Sequence, residues 1–213
     1  MNKVLSKVFM WLFVGLALTF GVAYVVSNND TMLYNIFDNG VHWFLLIAEL
    51  VVVIVLSTRI RKMSTMTATI LYLLYSGLTG LTFSSIFVVY ELTSIIYVFA
   101  ITAVLFLLFG LAGYFTKLDL SKISTFLFMG LIGLILAYIL NMFIGSATFD
   151  LGLTIISIII FLAFIAFDIQ GIKRNWYGIN NDDNLAIYGA FQLYIDFINI
   201  FIDLLRLIGS SRD

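Results

Sequence analysis

The last apolar stretch of the chain contains polar and charged side chains, which are unfavourable in an apolar environment unless they are paired. Within YIDFINIFIDLLRL (194–207) they are Asp196, Asn199, Asp203 and Arg206. On a helix that turns about 100° per residue, they fall within an arc of about 100°. A charge at the centre of a bilayer costs at least about 2.5–3.5 kcal/mol. We therefore expect this polar stripe to face the interior of a helix bundle or a wet cavity.

A second acid, Asp168, is placed to meet Asp196. Asp168 lies 14 residues before position 182 and Asp196 lies 14 residues after it, so a helical hairpin brings them to a similar depth. Two carboxylates in a medium of low dielectric constant cannot both ionise, and such a pair shares a proton. Protonated, the pair would form a neutral hydrogen-bonded clasp; ionised, it would repel itself or attract a cation. The alternative is that each acid is hydrogen-bonded separately and only stabilises the bundle.

The composition places these residues in a membrane. The 213 residues are 62% apolar and 11% charged, with a mean hydropathy of +1.12, whereas average proteins are about 25% charged. A spanning helix needs about 20 mainly apolar residues, and seven stretches meet that need: 6–26, 41–57, 67–90, 95–115, 124–145, 151–172 and 185–208. We predict an all-α membrane protein with a single seven-helix domain over 1–213, in which the polar seventh helix is central.

Several kinds of site are excluded by residue counts. The chain has no cysteine, which removes disulfides, thiol nucleophiles and cysteine-bound metals. Its one histidine, His42, cannot form a multi-histidine metal site. A net charge of −1 gives no case for nucleic acid as a partner. We expect no cofactor.

The basic residues predict the orientation, because loops on the cytoplasmic side are enriched in Lys and Arg. With the N-terminus inside, nine of the eleven basic residues lie on the inner side: Lys3, Lys7, Arg59, Arg61, Lys62, Lys117, Lys122, Lys173 and Arg174. The other two, Arg206 and Arg212, are near the far end, and the outer loops carry only acids. We predict a cytoplasmic N-terminus and a C-terminus outside.

In this orientation, Glu49 of the second span lies nearer the outer side, where Arg206 can pair with it. Asp203 stands three residues before Arg206 and competes for it on the same helix. With Asn199 they form an expected outer polar network, which is either a gate or a structural ion pair. Arg59 and Arg61 close the inner end of the second span, where membrane anchoring alone explains them.

Other classes of seven-helix or di-aspartyl membrane protein fit less well. A retinal-type receptor needs a lysine at mid-membrane for its Schiff base, and every lysine here lies in or beside an inner segment. Intramembrane aspartyl proteases also place acids in their sixth and seventh spans. They carry Gly-x-Gly-Asp at the second acid and a proline-containing motif downstream, whereas this chain has Tyr194-Ile195-Asp196 and no proline.

Three stretches resemble the Bax inhibitor-1 family, also called the transmembrane Bax inhibitor motif family, in its bacterial form. They are MSTMTATILYLLYSGLTGLTFSSIFVVYE (63–91), FIAFDIQGIK (164–173) and LYIDFINIFIDLLRLIG (193–209). The resemblance implies a helix seven between two groups of three helices and a pH-sensitive calcium leak. It also implies that Asp168 and Asp196 are the di-aspartyl sensor. An arginine at the inner end of the second span, Arg59 or Arg61, would be the latch, and Glu49 and Arg206 would be a second polar pair.

The expected function is therefore a Ca²⁺ leak of the bacterial plasma membrane, gated by a shared proton, and not an enzyme. Ca²⁺ prefers oxygen ligands, and Asp168 and Asp196 would hold it weakly and transiently. Its expected partners are the lipid bilayer, Ca²⁺ and protons. Two alternatives stay open: a non-conducting regulator that binds a membrane protease or a cell-death factor, and a proton-coupled transporter that uses the same acids as a relay.

Overall fold

Seven long helices and one short helix make up the protein, in a computed structural model that describes residues 3–211. Every predicted span is confirmed, with ends that differ by at most four residues from the prediction. All seven long helices are apolar enough to cross a membrane. The helices are α1 (Lys3–Ser27), α2 (Asp30–Phe37), α3 (Val41–Arg59), α4 (Thr65–Val89), α5 (Leu92–Phe115), α6 (Ser124–Ile144), α7 (Ala147–Arg174) and α8 (Asp182–Ile208).

The short helix α2 was not among the predicted elements. It begins after Asn29, whose side-chain oxygen accepts a hydrogen bond from the Met32 backbone N–H at 3.0 Å. Asp30 in the first turn complements the positive end of the helix dipole. Asparagine followed by aspartate is a good helix start, but eight residues are too few to give a clear periodic pattern.

The contacts divide the chain into two compact units. The first contains α1 to α4, the α7–α8 loop and α8 as far as Tyr194. There α1 and α4 approach closely, because a Cβ at Gly80 would come within 2.8 Å of the Thr19 carbonyl oxygen. The Thr19 hydroxyl donates to the Ser76 carbonyl at 2.9 Å and lies 2.6 Å from the Tyr194 hydroxyl. These contacts fix the first half of α8 against α1 and α4.

The second unit contains residues 93–174 and 195–210, which comprise most of α5, all of α6 and α7, and the second half of α8. Gly113 of α5 lies directly on the backbone of Ala166 in α7, and a side chain there would overlap the Ala166 carbonyl. Phe197 of α8 contacts Phe99 and Phe106 of α5, with ring centroids 5.2 and 5.7 Å apart. This packing places Asp196 and Asp168 within one unit.

Helix α8 contributes to both units and is the most buried of the spans. In its most apolar segment of 18 residues, 72% of the residues are buried, whereas the corresponding share is 56% or less in the other six spans. Burial of this extent is what a helix with a polar face requires. The position of α8 between two three-helix groups, and the single domain over 1–213, stay predictions.

Candidate functional site

Asp168 and Asp196 lie together in the second unit. Asp168 on α7 is 2% exposed and Asp196 on α8 is 4% exposed. Their carboxyl groups are within reach of a side-chain hydrogen bond and interact electrostatically. Two carboxyl groups can hydrogen-bond only when one of them carries a proton. The hairpin thus places two acids where they can hold one proton between them.

The sequence neighbours of this pair are apolar. Phe167 and Ile169 flank Asp168 in the sequence and are buried, and so is Phe197 beside Asp196. One oxygen of Asp196, Oδ2, is buried without a hydrogen-bond partner among the described residues. An oxygen left in that state is costly, and a proton or a cation would satisfy it. The pair can therefore hold a proton or, when ionised, attract a cation.

Seven residues after Asp196, about two helical turns, Asp203 lies in a different setting. Its side chain is 5% exposed and lines a cavity of about 750 Å³ between α6, α7 and α8. The Ser157 hydroxyl of α7 is within reach of its carboxylate, and Arg206 acts on it electrostatically. Arg206 is exposed and lies outside both ion pairs found within residues 3–211. Asn199 lines the same cavity and donates to the Ile195 carbonyl at 2.8 Å.

Much of the polar lining of this cavity was not predicted from the sequence. Tyr138 and Asn141 of α6, and Asp150 and Ser157 of α7, complete it. Hydroxyl and amide side chains in a span usually bond the helix's own backbone, so their types alone do not mark a site. Asp150 is one of the acids that were predicted to lie in the outer loops, and the structure has it in the first turn of α7. The structure brings it to the same cavity as Asp203.

Glu49 belongs to the first unit and is half-buried on α3. Its Oε1 accepts a hydrogen bond from the Thr82 hydroxyl of α4 at 3.1 Å. Thr82 is a partner that the sequence analysis missed. Arg206 belongs to the second unit, and the pairing of Glu49 with Arg206 stays a prediction.

The two latch candidates occupy different positions at the end of α3. Arg59 is the last residue of α3, while Arg61 lies in a 3-10 turn over Ile60–Lys62, and both are exposed. The Arg61 guanidinium lies near Gly178 of the α7–α8 loop. Its Nη2 is 4.0 Å from the position that a Cβ on Gly178 would occupy. The assignment of the latch to either arginine stays a prediction.

The segment that follows these arginines, residues 63–65, is bound to the start of α8 by Asn184, which was not predicted from the sequence. Asn184 Oδ1 accepts from the Thr65 hydroxyl at 2.7 Å, and its Nδ2 donates to the Met63 carbonyl at 2.9 Å. Nearby, Lys7 pairs with Asp183 at 2.6 Å. Movement of the first turn of α8 would therefore be transmitted to the α3–α4 turn.

Within residues 3–211, no cluster of three or more His, Cys, Asp or Glu side chains could hold a metal ion. Resident calcium sites of high affinity use six to eight oxygen ligands, several of them carboxylates. The Asp168–Asp196 pair offers two carboxyl groups, which suits a passing ion better than a stored one.

Comparison with known proteins places this chain in a family. The whole chain, residues 1–213, matches the family described as "Inhibitor of apoptosis-promoting Bax1". The chain is 43% identical to "Inner membrane protein YbhL" of Escherichia coli, over 98% of this chain and 92% of that one. It is 38% identical to a protein of Borreliella burgdorferi over 100% of this chain and 94% of the relative.

A match over the full length, with seven apolar helices in the structure, agrees with the resemblance carried by the sequence motifs. The chain is a membrane protein that belongs to the Bax inhibitor-1 family.

Proposed function

We propose that the protein is a pH-sensitive Ca²⁺ leak of the bacterial plasma membrane, gated by a proton that Asp168 and Asp196 share. The observation that carries this proposal is the contact between two buried carboxyl groups on neighbouring spans. Ionisable residues inside a membrane span are rare, and they commonly belong to an ion or proton pathway. The proposal assigns the protein no catalytic residue and no resident cofactor.

The gate operates through the charge of the pair. With one proton, the carboxyl groups attract each other and hold α7 against α8. Without it, two negative charges about 4 Å apart repel by about 4 kcal/mol at an effective dielectric constant near 20. That energy is enough to separate two helices locally or to draw in a cation. Weak ligation by two carboxylates then lets the ion leave again, as conduction requires.

The other predicted residues assist this step. An arginine at the end of α3, Arg59 or Arg61, would stabilise the ionised pair from the cytoplasmic side. The Asn184 hydrogen bonds tie the segment that follows both arginines, residues 63–65, to α8. Acids in the outer loops would attract cations to the opposite mouth.

The experiment is Ca²⁺ flux into liposomes that contain the purified protein, measured at two pH values with protein-free liposomes as control. A leak passes Ca²⁺ down its gradient with no cosubstrate and changes its rate with pH. A proton-coupled transporter moves Ca²⁺ against its gradient when a pH gradient is imposed. No flux at either pH would favour a regulator that binds a membrane protease or another partner, and would overturn the leak.

The proposed orientation, with the N-terminus in the cytoplasm and the C-terminus outside, has its own test. Because the chain has no cysteine, single cysteines report their side unambiguously. We expect a membrane-impermeant thiol reagent to label Asn39→Cys in intact cells and Lys117→Cys only after lysis. The reverse pattern would contradict the orientation.

A further inference from the structure

The cavity of the second unit is shaped like a groove that follows the helices. Along α6 its lining runs from Leu131 to Met142, a rise of about 17 Å at about 1.5 Å per residue. One leaflet of a bilayer has a hydrocarbon thickness of about 15 Å, half of a core of about 30 Å. The volume of about 750 Å³ lies within the range of about 300–1,000 Å³ that ligand pockets span.

Polarity changes along this groove as it does along a phospholipid. Asn141, Asp150 and Arg206 lie within three residues of the ends of α6, α7 and α8, at the α6–α7 loop end of the unit. One turn deeper than Ser157 and Asn199, which are polar, the lining becomes apolar, with Leu131, Leu134, Ile135, Phe161 and Ile195. A head group fits the first part and an acyl chain the second.

The polar end contains groups that lack a partner within the described residues. Oδ2 of Asp203 is buried without a hydrogen bond, although the side chain is 5% exposed. The Tyr138 hydroxyl is also buried, beside Thr154 but without a hydrogen bond of good geometry. Arg206 makes no ion pair with the described acids of its own unit. The groove thus offers an acceptor oxygen and a hydroxyl that have no hydrogen-bond partner, and a cation that has no ion pair, among the described residues.

The charges decide which head group fits. Two acids, Asp150 and Asp203, and one cation, Arg206, line the polar end, so an anionic lipid would meet more repulsion than attraction. A zwitterionic head group matches both signs, with its phosphodiester at Arg206 and its cation at Asp203. Asp203 Oδ2 needs a hydrogen-bond donor. A primary ammonium supplies one, whereas a quaternary ammonium does not.

We infer that this groove binds one zwitterionic phospholipid with a primary ammonium, a phosphatidylethanolamine, between α6, α7 and α8. Its phosphodiester pairs with Arg206, its ammonium donates to Asp203 Oδ2, and one acyl chain lies along α6. The site is separate from the Asp168–Asp196 pair and does not depend on Ca²⁺ conduction.

The test is native mass spectrometry of the delipidated full-length protein with phosphatidylethanolamine, phosphatidylcholine and phosphatidylglycerol of identical acyl chains. We expect one tightly retained phosphatidylethanolamine, bound about tenfold better than either other lipid. Asp203→Asn should reduce the preference over phosphatidylcholine, because a neutral amide oxygen accepts a hydrogen bond from the ammonium more weakly than a carboxylate does. Arg206→Gln should weaken both zwitterionic lipids about equally, because it removes the phosphodiester contact and leaves the ammonium contact.

Matched controls are Asp38→Asn and Lys62→Gln, which remove exposed charges from the first unit and should leave retention unchanged. Circular dichroism checks that each variant is folded. Equal retention of the three lipids by the unmodified protein would overturn the inference, and so would tighter retention of phosphatidylglycerol. The unmodified protein could instead form a dimer that carries no lipid, and Asp203→Asn could abolish that dimer. This result would overturn the inference and would show that the groove is a contact between two copies of the chain.

Discussion

Asp196 and Asp203 are the same residue type on the same helix, seven residues apart, and both are nearly fully buried. Asp196 faces another buried acid. Asp203 faces a cavity, a serine hydroxyl and an arginine. The first setting favours a shared proton, and the second favours a charge matched by an oppositely charged group. Residue type and burial therefore do not define the role of an intramembrane acid, whereas the group opposite it does.

The largest expected effect separates the two acids by function. We expect Asp168→Asn or Asp196→Asn to abolish the pH dependence of Ca²⁺ flux in liposomes, because an amide in place of either carboxyl removes the shared proton. Asp203→Asn makes the same chemical change two turns away and should leave the pH dependence intact. The comparison fails if either variant of the pair keeps the pH response of the unmodified protein.

The next effect concerns the arginines at the end of α3. They are two residues apart, and one lies in α3 while the other lies in a 3-10 turn, so at most one is expected to act on the pair. A nearby positive charge stabilises ionised carboxylates, and its removal should move the flux midpoint to higher pH by about one unit. We expect this shift in one of Arg59→Gln and Arg61→Gln and no shift in the other. Equal and small effects of both would mean that the arginines only anchor the helix in the membrane.

A smaller effect is expected at the cavity. Arg206 is exposed, and an exposed charge interaction contributes about 0–1 kcal/mol. Arg206→Gln should therefore lower the free energy of unfolding in detergent by less than about 1 kcal/mol. Thermal unfolding followed by circular dichroism measures it. A loss several times larger would mean that Arg206 is the essential counter-ion of a buried acid.

The smallest effect is expected outside the spans. The hydrogen bond from Ser121 and the nearby Arg174 hold the pKa of the Asp119 carboxyl below its ordinary value of 3.8. A depressed pKa keeps Asp119 ionised throughout the range above pH 5, so its charge does not change where the gate is expected to respond. Asp119→Asn should leave the curve of flux against pH unshifted. A shift would show that surface charge, and not the buried pair, sets the pH response.

The fold was predictable because a bilayer imposes a length of about 20 apolar residues on each span. The meeting of Asp168 and Asp196 was predictable for a related reason, since a hairpin places residues equally distant from its turn at equal depth. The short helix α2 was not predicted, because the only feature that indicates it is the N-cap residue Asn29. Its eight residues show no periodic pattern.

The partners of the polar side chains were less predictable. Thr82 beside Glu49 and Ser157 beside Asp203 depend on the rotation of one helix against another, which a sequence pattern does not specify. Proximity in sequence also suggested a pairing of Asp203 with Arg206. No salt bridge joins them within the described residues, although both line the same cavity and Arg206 acts on the carboxylate electrostatically. Helix depth follows from hydropathy, whereas side-chain partners follow from packing.

The most direct test is infrared spectroscopy of the purified protein near neutral pH, read at the carbonyl band of protonated carboxyl groups. The shared-proton account predicts that this band is present and that its frequency shifts in both Asp168→Asn and Asp196→Asn, because an amide replaces the partner carboxyl in the hydrogen bond. It also predicts that the band keeps its frequency in Asp203→Asn and Asp119→Asn. A band whose frequency is unchanged in Asp196→Asn, or that shifts only in Asp203→Asn, would contradict it.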